Sequence, residues 1–206
     1  MKNPVINIIT RTSNRPNYFK NCIKSVLKQD YDNINHIISV DNEASRKYVK
    51  QYKNIKIIDV KYTPKLHNEH APYNLYLNDL MNEVKDGWII VLDDDDAFIQ
   101  KDAITCISKY MTDINNLLFW KVQFPHNTIP EHQYFGKKPV ECHIDTMCYA
   151  FHKSMVGNTL FDDTQLGDFN FISEMYNKEN NKIYIDKVFI TLQRNDAGGR
   201  GLRDDL

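Results

Sequence analysis

Four consecutive aspartates, Asp93 to Asp96, follow directly on the apolar run Trp88-Ile89-Ile90-Val91-Leu92. The run is short, unbroken and rich in β-branched residues, which predicts a buried strand. Four carboxylates cannot stay ionised side by side in a core, so they must lie at the strand's exit, wet or neutralised by a cation. In open α/β sheets the ligand crevice lies beyond the carboxyl ends of the strands. An aspartate cluster at such an end suits a hard divalent ion and the phosphate that accompanies it. The plainer alternative is a solvated acidic turn.

The flanking elements favour the first reading. Val5 to Ile9 predicts a strand, and Phe19, Cys22, Ile23, Val26 and Leu27 form the stripe of a core-packed helix over 17–28. His36 to Val40 predicts a second strand ending at Asp41-Asn42, residues 43–53 a polar helix, and Ile55 to Val60 a third strand. After the loop prolines Pro64 and Pro72, a helix shows Tyr73, Leu77, Leu80 and Val84 on one face, with Gly87 read as its cap. This β-α-β-α-β-α-β alternation implies parallel strands, right-handed crossovers and helices on both faces of an α/β sheet.

Beyond residue 96 the rhythm loosens. Residues 102–111 predict a helix and Leu117 to Phe124 a strand, followed by an irregular stretch broken by Pro125, Pro130, Gly136 and Pro139. Residues 142–151 read as extended, 168–177 as helical, and Ile183 to Leu192 as extended again. The tail Arg194 to Gly201 carries three of the seven glycines and reads as a loop. The expectation is one domain over 1–206: a nucleotide-type half to about residue 96, and a half to 206 that shapes a second substrate site.

Composition narrows the partners. A net charge of −1 and a pI near 6.6 leave no electrostatic footprint for nucleic acid or an anionic membrane. No apolar stretch approaches the ~20 residues of a membrane span, and the N-terminus lacks a signal-type apolar region. A cytoplasmic protein is expected, unless the chain is one domain of a longer polypeptide. Heavy use of Asn, Lys, Ile and Tyr fits an AT-rich genome, and a viral source would place the protein in the host cytoplasm. The four cysteines form no C-x-x-C pair and point to a reduced compartment. His67 and His70 alone among the seven histidines have metal-like spacing.

Five segments in order resemble a GT-A glycosyltransferase, most like family 2. Ile8 to Pro16 looks like that family's first strand and turn, and Ser25-Val26-Leu27-Lys28-Gln29 with Tyr31 like its first helix end. Val40-Asp41-Asn42 is similar to its second strand end, Val91 to Asp96 to its DxD motif, and Leu166 to Phe171 to its late acidic segment. Pro72-Tyr73-Asn74 stands where the family has Ala-Arg-Asn, so the customary basic residue is missing. The resemblance implies a Rossmann-like nucleotide-diphospho-sugar transferase fold, with a mixed central sheet flanked by helices. It further implies an inverting, metal-dependent transfer from a UDP-sugar to a glycan hydroxyl.

Carried onto this chain, the resemblance assigns metal contact to Asp95, and support of ribose and diphosphate to Asp93, which also borders the metal, Mn²⁺ or Mg²⁺. Asp94 becomes the free middle residue of the DxD unit, grouped with the donor-binding residues, and Asp96 a flanking carboxylate; the register within four identical residues stays open by one position. Asp41 is similar to the residue that accepts from the nucleobase, or else it forms a turn. Thr10, Arg11 and Thr12 leave strand one at the same edge to bracket the base, although Arg11 can equally be a surface charge. Arg15 is read as structural, because Arg-Pro begins a helix. Asp168 is the candidate base that takes the proton from the attacking hydroxyl, or else a helix cap. Asp145 is a loose candidate for sugar or acceptor contact. Arg200, or Arg194, can reach the diphosphate from the tail. Phe124 and Tyr134 are candidates to stack on an acceptor sugar, and Trp120 reads first as core.

Two rivals remain at this stage. A nucleotidyltransferase also seats metal on strand-end aspartates, but the turn Thr12-Ser13-Asn14-Arg15-Pro16 lacks the glycine that a triphosphate loop needs. A binding module without catalysis would not need Asp168 together with Asp93 and Asp95.

Overall fold

A computed structural model describes residues 3–193. The first half alternates as expected: β1 (Ile6–Thr12), α1 (Pro16–Leu27), β2 (Ile34–Val40), α2 (Glu43–Val49), β3 (Ile55–Asp59), α3 (Leu75–Glu83) and β4 (Trp88–Val91). The second half holds β5 (Asp96–Phe98), α4 (Ala103–Ser108), β6 (Asn116–Gln123), β7 (Thr128–Ile129), β8 (Tyr149–His152), α5 (Gly167–Asn177) and β9 (Asn181–Leu192). All nine strands join one sheet in the order β3-β2-β1-β4-β8-β6-β9-β5, with β7 beside β6.

The four strands of the first half run parallel. Both sheet faces are covered, and β2 shows how: Ile37 faces one core cluster, while Ile38 and Val40 meet Phe19, Ile23 and Val49 in another. The α1 stripe is buried at Phe19, Cys22, Ile23 and Val26, but Leu27 is 57% exposed because the helix ends there. Gly87 is not the helix cap, since α3 already ends at Glu83. It sits at φ +98, where a Cβ would stand 2.7 Å from the Val5 carbonyl and 3.0 Å from Asn7 Nδ2. Only glycine lets β1 and the entry to β4 approach so closely.

The second half departs further from expectation. α4 is six residues long, and the extended stretch at 142–151 is a 3₁₀ turn at Thr146–Cys148 leading into β8. β8 pairs antiparallel with β4 and β6, β9 runs parallel to β6, and β5 pairs antiparallel with β9. In α5, Phe171 packs inward with Ile172 and Met175 and stacks on Phe161 at 4.0 Å, while Phe169 lines the cleft.

The curvature of the sheet follows from one turn. Asp96 N–H donates to the Asp93 carbonyl at 3.0 Å, so residues 93–96 form a β-turn whose ends lie within about 7 Å. Yet β4 and β5, on either side of that turn, stand at opposite ends of the path β4-β8-β6-β9-β5. Laid flat, five strands would separate those ends by roughly 19 Å. The strands must therefore curl round until the ends meet, and the aspartate turn is the staple.

Candidate active site

The carboxyl ends of β1 and β2, the aspartate turn, the start of α5 and the 142–147 segment surround one cleft of about 730 Å³. Arg11, Thr12, Asp41, Asp93, Asp94, Asp95, Asp145 and Asp168 all line it. Thr10 does not. It is fully buried beneath the edge, donating its hydroxyl to the Leu92 carbonyl at 2.6 Å with His36 Nε2 at 2.8 Å. That leaves no cleft-facing group on Thr10. Arg200 and Arg194 lie outside the described residues.

The aspartate turn is enclosed rather than wet: Asp94 is 1%, Asp95 5% and Asp96 0% exposed. Burial on this scale demands neutralisation, and two guanidiniums supply it. Arg11 clamps Asp93 bidentately, Nε to Oδ1 at 2.8 Å and Nη2 to Oδ2 at 2.7 Å. Its Nη1 donates to Asn74 Oδ1 at 2.8 Å and to the Tyr73 carbonyl at 3.2 Å, and the group lies over the Tyr73 ring at 5.2 Å. A basic group thus reaches the 72–74 segment from β1, where the sequence itself has none. Arg15, expected to be structural, extends from the start of α1 so that Nη1 lies 3.0 Å from Asp95 Oδ2 and 3.3 Å from Asp94 Oδ1. Thr12 donates to Asp94 Oδ2 at 2.7 Å, so Asp94 is a gripped residue and not a loose middle position.

Among the described residues, the two arginines leave part of this charge to be carried by protonation. Burial raises Asp94 to about 7 against the opposing charge of Arg15. Burial, then the neighbouring aspartates, hold Asp96 well above the usual carboxylate range. Asp96 folds back to accept from the Asp93 N–H at 3.2 Å, and its Oδ1 is buried without a hydrogen-bond partner. The other end of the turn is pinned just past the end of β9, where the Gln193 N–H donates to the Asp95 carbonyl at 2.8 Å.

Asp168 lies in the first turn of α5, which Leu166 precedes as N-cap residue, so capping is not its role. One oxygen accepts from the Phe169 N–H at 2.8 Å. Burial raises its pKa, against the pull of the Phe169 N–H and Arg11. Asp145 accepts from Thr146 N–H at 2.6 Å, and burial followed by the Asp168 charge pushes it up to about 7. Gly167 makes this wall possible: a Cβ there would stand 2.5 Å from the Asp162 carbonyl and 2.8 Å from Asn74 Nδ2. Asn74 in turn donates to the Thr164 carbonyl at 2.8 Å, linking the α5 entry to Arg11.

Asp41 follows β2 at the far end of the cleft. It accepts from Asn42 Nδ2 at 2.6 Å and from Tyr76 OH at 3.4 Å. The turn-and-cap duty belongs to Asn42, whose Oδ1 accepts from Ser45 N–H at 2.8 Å. Phe124 lines the cleft, Tyr134 stacks on His143 at 3.9 Å, and Trp120 is core beside Phe189. His67 and His70 stack on each other, and His70 Nε2 lies 3.4 Å from Asp163. Among the described residues no three His, Cys, Asp or Glu side chains form a ready metal cage. The donor set of the turn is nevertheless all carboxylate oxygen, the hard ligand that Mg²⁺ and Mn²⁺ prefer. Asp93 and Asp95 fit a seat of the kind that phosphate oxygens and water complete.

Comparison with known proteins agrees with this architecture. The sequence model of glycosyl transferase family 2 matches residues 7–153. No curated protein matches the chain in sequence. Among solved structures, S. aureus TarS 1-349 in complex with UDP superposes with a TM-score of 0.74 at 14% identity, covering 91% of this chain and 60% of that one. TarS 1-349 in complex with UDP-GlcNAc gives 0.71 at 13% identity, covering 93% and 59%. A mannosyltransferase from Pyrobaculum calidifontis in complex with GDP-Man and Mn²⁺ gives 0.70 at 13% identity, covering 96% and 59%. The chain therefore spans about 60% of the length of these neighbours, and the fold they share with it is GT-A.

Proposed function

Because the chain belongs to glycosyl transferase family 2, we propose that it transfers a sugar, with inversion, from a UDP-sugar to a glycan hydroxyl with the help of Mn²⁺ or Mg²⁺. The observation that carries this reading is a single cleft shared by the paired aspartates of the turn and the raised carboxylate of Asp168. The cleft volume, about 730 Å³, falls within the range of small-molecule sites. The nucleotide-bound TarS and mannosyltransferase structures support a nucleotide-sugar donor here.

Each residue then has a task. Asp41 accepts from the ring N–H of the base, held in place by Asn42 and Tyr76. Thr12 orders Asp94, and Arg11 fixes Asp93 beside ribose and diphosphate. Asp95 and Asp93 would hold the divalent ion. When bound, the ion neutralises charge on the departing diphosphate. Asp168 takes the proton from the attacking hydroxyl; burial raises its pKa, which makes it a stronger proton acceptor than an ordinary carboxylate. Tail residue Arg200 is assigned to the diphosphate on charge alone.

Calorimetric titration of UDP into the protein with Mn²⁺ and with EDTA, on wild type and Asp95→Ala, tests the assignment. Metal-dependent binding that the variant loses, by about 100-fold or more, is expected. Metal-independent binding, or none, would sink it.

A further inference from the structure

The two arginines that neutralise the turn are held very differently. Arg11 is locked by both oxygens of Asp93, by Asn74, by the Tyr73 carbonyl and by the Tyr73 ring. Arg15 is fixed at its root, where its N–H donates to Tyr48 OH at 3.3 Å, and Tyr48 OH meets Thr12 Oγ1 at 2.6 Å. Its head, by contrast, meets the aspartates through one nitrogen shared between Asp94 and Asp95. The side chain is 15% exposed and borders the cleft, so it has a path away from the turn.

We propose that Arg15 is the resident counter-cation of Asp95 in the metal seat, resting on it and on neighbouring Asp94 until a divalent ion displaces it toward the donor's diphosphate. The proposal rests on the metal-dependent reading above and adds a competition to it. Buried Asp94 and Asp95 need a positive charge at all times, and Arg15 Nη1, 3.0 Å from Asp95 Oδ2, stands where a metal ion would approach that oxygen, so the two cations compete for it. Once displaced, the guanidinium is rooted at the cleft wall and has a planar donor face suited to phosphate. Metal binding to the empty protein is thereby weakened, and metal together with nucleotide binds more tightly than either alone. By linkage the effect is mutual.

The test is Mn²⁺ titration, by calorimetry and by the EPR signal of the free ion, on wild type, Arg15→Gln and Arg15→Lys without nucleotide. Arg15→Gln should bind Mn²⁺ about 10-fold more tightly than wild type, a coupling of ordinary size. The same variant should bind UDP about 10-fold more weakly at saturating Mn²⁺. Thermal melts serve as the fold check: Mn²⁺ should raise the melting temperature of Arg15→Gln more than that of wild type. If Arg15→Gln does not fold without metal, Arg15→Lys should still bind Mn²⁺ more tightly than wild type, because an ammonium on a shorter reach holds the two carboxylates less well. Equal or weaker Mn²⁺ affinity in the folded variants overturns the competition while leaving metal-dependent UDP binding intact. Failure of wild type and variants alike to bind Mn²⁺, with or without UDP, overturns both readings.

Discussion

The aspartates of the 93–95 turn and the pair Asp145 and Asp168 face one cleft, yet different partners answer their burial. In the turn, burial drives Asp94 up to about 7 and the leading opposing force is Arg15, a cation that meets the aspartates through one nitrogen. At Asp145 and Asp168 the partners in contact are the peptide N–H groups of the following residues, joined at Asp145 by the Thr146 hydroxyl, with Arg11 adding charge to Asp168 from a distance. A carboxylate held by a singly attached cation is suited to exchanging one cation for another. A carboxylate held by neighbouring dipoles and lifted toward neutrality is suited to exchanging protons.

The largest expected effect tests the proton side. Asp168→Asn keeps shape and removes basicity, so kcat should fall by about 10²- to 10⁴-fold while Mn²⁺-dependent UDP binding stays within twofold. Steady-state kinetics beside calorimetry decides it: turnover within tenfold of wild type would erase the distinction between the two groups. Next comes Gly167→Ala, whose Cβ meets the Asp162 carbonyl and Asn74 Nδ2. It should destabilise the fold by about 1–3 kcal/mol in a urea melt. UDP binding and turnover should drop together, because Asn74 also holds Arg11. Loss of turnover alone would mean that the two groups are not mechanically joined through Asn74.

The smallest effect is a pH signature. Folded Asp145 keeps its proton to about pH 7, whereas the unfolded chain loses it near 4. Its contribution is therefore fully present below about pH 4 and is lost as pH rises through 7. Asp145→Asn removes that loss. Relative to wild type it should be unchanged at pH 4 and more stable at pH 8, on the order of 1–2 kcal/mol after allowance for the partial exposure of Asp145. Melting temperatures across that range measure it, and a pH-independent difference would place Asp145 with ordinary turn residues.

Legibility in the sequence follows the same division of the chain. β1 to β4 are parallel strands covered on both faces, so their apolar runs were continuous and their ends marked by Asp41 and Asp93. β5 and β7 are three and two residues long, too short for any period to register. The pairings of β6 with β9 join residues more than sixty positions apart, which no local pattern encodes. Within the site, the carboxylates were legible because strand-end aspartates have few other uses. Arg15 was not, since Arg-Pro at a helix start already had a structural explanation; its place on the same sheet edge as the aspartates was the available signal. Asn74 and Gly167 act through contacts with segments about ninety residues apart in the chain, visible only once the fold brings them together.

The curl of the sheet also bears on how copies of the chain meet one another. Unpaired strand edges are templates on which a second molecule can add, and β-rich enzymes must blunt them. By bending β4-β8-β6-β9-β5 until its ends meet at the aspartate turn, the fold draws the β5 edge in against α1, where Phe98 N–H donates to Ser25 Oγ at 3.1 Å. The opposite edge is β3, five residues long and flanked by charge: Lys56 pairs with Glu83 at 2.5 Å and Asp59 with Arg46 at 2.8 Å. The staple that assembles the cleft thus also closes one flank of the sheet to strand addition, leaving the other to repel it with surface ions.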